Sequence, residues 1–464
     1  MFFVAAMALA LPCAAQAQLI DNQRDVIEQN RAQERERAMR QQQEKSRDEL
    51  KPTPPPAKAA RLASEERCVV IHQVDLKVIT GDPSPVSDWN WAMKALDGPD
   101  HDDSPLRRCV GAAGIDLLTQ RVQDAVVARG YTTTRILLEQ QNLATTHALT
   151  LTVIPGRIRA IRFAEPANPR GKAWNTVPAK PGDILNLRNL EQAIENFRRV
   201  PSAQVDIEVK PVEEPGAPGR SDLVISYQQT RPFRLSLSAD DSGTRATGKY
   251  QGTVTFSYDN WWTLSDLFYV TVNHDLGGGD AGERGTRGYA IHYSVPFGYW
   301  LVGATVSKSN YHQLVPGPFG DPDYSGNSDS AELKLSRVVY RDASGKTTVS
   351  LKAWKRGSNN YIDTTEVEPQ RRVEGGWEFG LGHKVFIADA ILEGNLAYKR
   401  GTGAFGSLTA YEEQNGEGTS RFALISWDAN LTIPFKIAER KLSYTASLRG
   451  QPPGQQEHDK REQQ

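Results

Sequence analysis

From Thr230 onward, apolar and polar side chains alternate along the chain. The clearest run is Tyr250-Gln251-Gly252-Thr253-Val254-Thr255-Phe256-Ser257-Tyr258, with apolar or small residues at even positions and polar residues at odd ones. A period of two is that of a β-strand with two unlike faces. Phe268, Val270 and Val272 repeat it, as do Tyr289, Ile291, Tyr293 and Val295, then Val349, Leu351 and Ala353. Leu392, Gly394, Leu396 and Tyr398 follow, then Ala423, Ile425, Trp427, Ala429, Leu431 and Ile433, and last Leu442, Tyr444, Ala446 and Leu448. The pattern predicts about eleven strands, near 232–240, 250–259, 266–275, 286–295, 299–311, 329–340, 345–356, 374–386, 388–400, 419–434 and 440–449. Their connections alternate in length. NWWTLS, PFGY, RDASG, FIA and FKIAE are short; the segments between them, such as HQLVPGPFGDPDYSGNS, are long. Short turns on one side and long loops on the other predict an antiparallel outer-membrane barrel with periplasmic turns. Trp261, Trp262, Tyr299 and Trp300 fall at the short turns, where an interfacial aromatic girdle belongs. A soluble β-sandwich is the alternative, but it requires neither this alternation of loops nor strands this long.

Upstream the period changes. Between Cys68 and Gln229 the chain repeats a small α/β unit. The first copy has the strand VVIHQVDLKV, a helix over 114–129 with Ile115, Leu118, Val122 and Ala125 on one face, and the strands YTTTRILL and HALTLTVIP. The second has GRIRAIRF, a helix over 184–199 with Leu187, Leu190, Ile194 and Phe197 on one face, and the strands AQVDIEV and DLVISYQ. Each copy reads as a sheet covered on one face by a helix. Residues 51–66 form a Pro/Ala-rich linker, extended and semi-rigid. Residues 19–50 are polar all round and rich in helix formers; such a helix cannot dock on an apolar core but suits a wet channel. It would reach about 48 Å, more than the thickness of a bilayer.

Composition narrows the picture further. The formal net charge of the 464 residues is -1, so bulk electrostatics does not favour nucleic acid. No apolar run reaches the length of a membrane-spanning helix, so a membrane crossing here must be made by strands. Residues 1–17 read as a secretion signal ending at Ala15-Gln16-Ala17, although Met1-Phe2-Phe3-Val4 lacks a basic start. Signal removal takes Cys13 and leaves Cys68 and Cys109, an even pair in an oxidising compartment, which predicts one disulfide. Two buried thiols are the alternative.

These features together, with "LRRCVGAAGIDLLTQRVQDAVVARGYTTTRIL", "LTLTVIPGRIRAIRF", "LNLRNLEQAIENFRRVPSAQVDI" and "RPFRLSLSADDSGTRATGKYQGTVTFSYDNWWTLSDLFYVTVNHDLGG", resemble the outer-membrane transporters of two-partner secretion, the hemolysin and filamentous-hemagglutinin secretion/activation family. The resemblance implies a signal (1–17), a plug helix (18–50), a linker (51–66), two POTRA domains (67–155 and 156–229), a transmembrane antiparallel barrel (230–449) and a polar tail (450–464). It also implies a monomer in the outer membrane, embedded in lipid, with its POTRA domains in the periplasm. Its partner would be a secreted exoprotein with an N-terminal secretion domain. Capture of that partner would proceed by β-augmentation, in which an extended segment pairs with an exposed sheet edge. The candidate edges are Val205, Ile207 and Val209, and Leu223, Ile225 and Tyr227; packing of these strands against a neighbouring domain is the alternative. The family's sixth surface loop, with its Val-Arg-Gly-Phe/Tyr tip, and its last five strands have no counterpart after Arg449, where "GQPPGQQEHDKREQQ" stands. The chain is therefore expected to be a truncated member with an unclosed seam. Arg129-Gly130-Tyr131 and Arg287-Gly288-Tyr289 resemble that tip but fall in a POTRA helix end and a barrel strand.

No catalytic, metal or cofactor site is expected. GGGDAG (277–282) fits a nucleotide-binding pattern but sits in a loop between strands. The histidines lack metal-ligand spacing, and Asp240-Asp241 suit a turn. Two other functions remain compatible with the sequence: a barrel-assembly insertase, and a periplasmic binding module in which only 18–229 folds.

Overall fold

The structure is a computed structural model that describes residues 61–451 apart from 213–217, 316–319, 417 and 438–439. The signal, the plug helix, linker residues 51–60 and tail residues 452–464 lie outside the described residues.

Residues 61–66 do not continue a linker. Leu62 is buried in the first unit, and its N–H donates to Asp103. Glu65 reaches the start of helix α1 (Ala112–Ala128), where its carboxylate accepts the N–H groups of Gly111, Ala113 and Gly114. A carboxylate there satisfies donors that have no partner within the helix and complements the helix dipole. A side chain at Gly111 would collide with the Glu65 carboxylate. Cys68 and Cys109 are joined by a disulfide, beside a short ladder of Val69–Val70 with Cys109–Val110.

The first unit pairs strands β1 (Gln73–Val78), β2 (Arg135–Leu138) and β3 (Ala148–Ile154). β3 is central, parallel to β1 and antiparallel to β2. Leu118, Val122 and Val126 of α1 close the core over Leu149, Leu151 and Val153. The second unit repeats this topology with β4 (Arg157–Phe163), β5 (Ala203–Pro211) and β6 (Arg220–Gln229). β6 is central and β5 is an edge. Leu190 and Phe197 of helix α2 (Leu187–Arg198) pack over Ile158, Leu223 and Ile225. Leu223, Ile225 and Tyr227 thus lie on a central strand, not on the edge expected of them, because a parallel crossover inserts β6 between β4 and β5.

Eleven long strands follow in one antiparallel meander: β7 (Phe233–Asp240), β8 (Gln251–Asp259), β9 (Leu267–Asp275), β10 (Arg284–Phe297), β11 (Trp300–Leu314), β12 (Asp323–Arg341), β13 (Gly345–Ile362), β14 (Arg372–Ile387), β15 (Ala390–Thr402), β16 (Ala423–Ile437) and β17 (Arg440–Gly450). The two-residue strand Thr365–Glu366 adds to β13. Among the described residues, β7 and β17 have one neighbour each. The register carries the alternation across the sheet. Leu235, Phe256, Val270, Ile291 and Val306 stand side by side, as do Leu335, Leu351, Phe379, Tyr398 and Ile425. β12 runs for 19 residues, well beyond the roughly 9–11 that cross a bilayer. Its extension, Tyr324 to Ser328, faces Ser358 to Ile362, polar on both faces and so without a period to read.

Asp103 is the first unit's buried charge. It accepts from Arg121 Nη2 at 2.5 Å, from Arg108 and from the Leu62 N–H. Burial opposes its ionisation, but these bonds prevail and hold its carboxyl at about 2 instead of 3.8. A depressed carboxylate stabilises the fold above its unfolded value and loses that contribution as the pH falls through the folded one. The first unit should therefore keep its protease resistance at pH 4 and lose it between about 4 and 2. Asp103→Asn leaves Arg121 buried without a counter-charge and should cost ~3–5 kcal/mol at neutral pH, read by limited proteolysis of the full chain.

Candidate functional site: the pore mouth and the domain seated on it

The register that turns Leu235 and its neighbours outward turns a polar set inward. Thr255 and Thr271 share a hydrogen bond at 3.1 Å. His292 stacks on Tyr269 and bonds Thr305 and Ser294. Lys352 lies 3.0 Å from Glu378 and 3.8 Å from Glu332. Asp428 accepts from Asn395 and Asn430. Higher on the wall, Lys399 sits 3.9 Å over the buried Trp354 ring, which stacks on Phe422. Side chains that satisfy one another while facing a lumen are what a water-filled pore needs.

The second α/β unit sits on three of the short turns. The first, Asp259–Asp266, has Asn260, Thr263 and Ser265 in left-handed backbone. Asp266 secures it by accepting the N–H groups of Trp262 and Leu264, and Asn260 Oδ1 accepts that of Ser265. Arg170 donates to the Asn260 carbonyl, and Asn260 Nδ2 donates back to Arg170 O and to the Tyr227 hydroxyl. Burial pushes the Tyr227 phenol up to about 12, so it stays a neutral partner. Asp259, on the inner face, accepts the Ser202 N–H at 3.0 Å and pairs with Arg234. At the second turn, Asn196 Nδ2 donates to Gly298 O, Asn175 Nδ2 to Pro296 O, and the Tyr299 hydroxyl to Asn189. At the third, Arg341, whose side chain is 2% exposed, lies 3.2 Å from Glu191 and 2.7 Å from Glu195. Lys346 also pairs with Glu195, and Arg188 pairs with Glu191.

The two units are also tied to each other. Arg157 makes a bidentate pair with Asp82, at 2.6 and 2.8 Å. The hydrogen bonds from Arg157, foremost, hold the Asp82 carboxyl at about 2. The Leu187 N–H donates to Gly130 O, so Arg129-Gly130-Tyr131 forms part of this joint.

The expected girdle residues divide. Trp261, Trp262 and Trp300 are all exposed, with one side of Trp261 packed on Tyr258 and Phe268. Tyr299 is bonded to helix α2 and half-buried, because its turn is covered by the second unit. Val205, Ile207 and Val209 lie on the edge strand β5. The Ser202 carbonyl accepts from Thr230, and Val212 donates to Arg220, so even-numbered residues bond inward to β6. The odd ones turn their backbone groups to the open edge, where Arg198 takes the Val205 carbonyl. Sequence reading missed the polar face of α2 (Arg188, Glu191, Gln192, Glu195 and Asn196), which is buried against the turns. A charged helix face ordinarily means solvent, so the residues themselves carried no signal of this contact.

An outward apolar face, an inward polar one and a two-unit arm on the short-turn side define a protein of the POTRA-plus-barrel class. Residues 219–456 match the haemolysin secretion/activation protein ShlB/FhaC/HecB family, residues 103–156 a ShlB-type POTRA domain and residues 157–211 a POTRA domain. The chain belongs to this haemolysin secretion/activation family. It is 36% identical to outer membrane transporter CdiB-2 of Burkholderia pseudomallei (strain 1026b) over 345 residues, 74% of this chain and 58% of that protein. It is 24% identical to hemolysin transporter protein HpmB of Proteus mirabilis over 444 residues, 93% of this chain and 72% of that one. CdiB from Acinetobacter baumannii superposes with a TM-score of 0.79 at 27% identity, covering 92% of this chain and 77% of that structure. The chain thus spans 58% of the length of CdiB-2 and 60% of that of CdiB from Dickeya dadantii (strain 3937).

Arg341→Ala removes the counter-charge that Glu191 and Glu195 share and leaves them to Arg188 and Lys346, a loss of ~1.5–3 kcal/mol at the junction. Spin labels placed on β5 and on a barrel turn should give one sharp distance in the parent and a broad distribution in the variant.

Proposed function

We propose that the protein is an outer-membrane transporter of two-partner secretion. Its POTRA domains lie in the periplasm and receive a secreted exoprotein of the hemolysin or filamentous-hemagglutinin kind, which leaves through the polar lumen. It is a conduit and not an enzyme, and it uses no cofactor. The reading is carried by one juxtaposition: β5 and its open edge begin directly after Ser202, which is hydrogen-bonded to Asp259 on the inner wall of the pore mouth. An extended segment added to the edge at Val205, Ile207 and Val209 gains main-chain hydrogen bonds there. Those residues lie within roughly 25 Å of the wall along the strand. Pro211, whose position also turns outward, ends the edge without offering a donor.

Two proline substitutions test this. Val209→Pro removes an outward N–H and should lower exoprotein release severalfold while the protein stays folded in the outer membrane. Glu208→Pro removes an N–H directed at Val224 on the central strand and should unfold the domain. Parent-level secretion by Val209→Pro would eliminate edge pairing, and recovery of the chain in the soluble periplasmic fraction would eliminate the transporter reading.

A further inference from the structure

Trp174 is the most exposed tryptophan among the described residues, at 69%. It stands on a POTRA domain, in the one-turn helix Ala173–Thr176. Exposure of so large an apolar side chain in water is unfavourable. Nor is it a loose surface residue. The next residue, Asn175, is buried and donates to Leu264 O at 2.7 Å and Pro296 O at 3.1 Å, on two different turns. The Gly298 N–H donates back to Asn175 O at 2.7 Å, and the Thr176 carbonyl accepts from Asn196. Pro178 closes the contact, 3.3 Å from where a side chain at Gly298 would begin.

That anchoring sets the Trp174 ring 6.0 Å from the ring of Phe297. Phe297 belongs to the outward set of β10, in register with Trp300 and, through it, Arg337, whose guanidinium lies 4.9 Å over the Trp300 ring. Trp261 with Tyr258 and Phe268 continues the same outward row. The aromatic row at the periplasmic end of the sheet therefore extends off the sheet and onto the POTRA domain. Exposed Lys172 and Lys180 flank Trp174 in sequence. An aromatic ring between cations suits the headgroup level of a bilayer containing anionic lipid.

We infer that, in the outer-membrane setting proposed above, Trp174 is a membrane anchor: the second POTRA domain seats this residue in the periplasmic leaflet beside the barrel, against phospholipid. The domain is then held by the three turns, the buried Arg341 cluster among them, and by the bilayer surface. Burial to ~5–10 Å into the headgroup and acyl boundary is the depth at which such side chains rest.

The test uses the full chain in vesicles of zwitterionic and anionic phospholipid. Trp174→Cys carries an environment-sensitive fluorophore in a chain with Cys13→Ser; Cys68 and Cys109 are tied in their disulfide. Phe379→Cys, in the middle of the outward apolar band, serves as the reference. The expected result is loss of most emission at 174 with lipids spin-labelled near the headgroup, little loss with lipids labelled near the chain end, and little quenching by aqueous iodide. Position 379 should respond to the deep label. Quenching of 379 by lipid with 174 open to iodide would overturn the anchor and leave the barrel intact. Loss of lipid quenching at both positions would overturn the barrel reading itself. Protection of 174 from iodide that appears only on adding an exoprotein secretion domain would assign the patch to the transported chain and also overturn the anchor. Lys172→Glu/Lys180→Glu should weaken shallow quenching at 174 in anionic vesicles and leave 379 unchanged.

Discussion

A strand in hydrocarbon has only its neighbours to satisfy its N–H and C=O groups. That constraint orders everything after Thr230. Each strand must pair along its full crossing, so register is fixed, and a one-residue slip would turn every side chain to the wrong medium. Register in turn places Leu351 beside Leu335 and Phe379 on the outward face, and on the inward one sets Lys352 opposite Glu378 and diagonal to Glu332. Two media on the two sides of one sheet are thus encoded as a single alternation.

The short turns that join these strands serve a second purpose. They present carbonyls and charges to the second α/β unit, and that unit answers with amides and carboxylates. Burying Glu191, Glu195, Arg188 and Arg341 together is costly unless each finds its partner, and here each does. The cost makes the junction specific. An apolar interface could slide, whereas a cluster of buried charges tolerates one alignment. With the bidentate Arg157–Asp82 pair at the next joint, the arm is held at both of its articulations by charge pairs.

What the sequence discloses follows from where the two periods are undiluted. Nearly every barrel strand is legible to within a few residues, since lipid on one side and water on the other impose alternation. The polar extensions of β12 and β13 are not, because water on both sides imposes none. The strand order of the second unit had a usable signal. Gln204-Val205-Asp206-Ile207-Glu208-Val209 alternates strictly, as an edge strand with one wet face does, whereas Leu223-Val224-Ile225 is an unbroken apolar run, buried throughout, as a central strand reads. Glu65 at the start of α1 and Trp174 beside Phe297 are different in kind: each acts on a partner more than 40 residues away, and nothing local marks either one.

The same few residues fix both the edge and the aromatic row. Asn196 bonds the Thr176 carbonyl and the Gly298 carbonyl at once, linking α2, the Trp174 turn and the barrel turn through one side chain. Arg198, in the last turn of the same helix, holds the Val205 carbonyl at the start of the open edge. Ser202, between them, is bonded to the inner wall. Tilting the domain to move the edge would therefore break the Asn196 and Ser202 bonds together and pull Trp174 from Phe297. On the pairing proposed above, a segment at Val205–Val209 would meet the lumen at an angle set by buried hydrogen bonds, and any change in that angle has to involve the barrel turns as well as the POTRA domain.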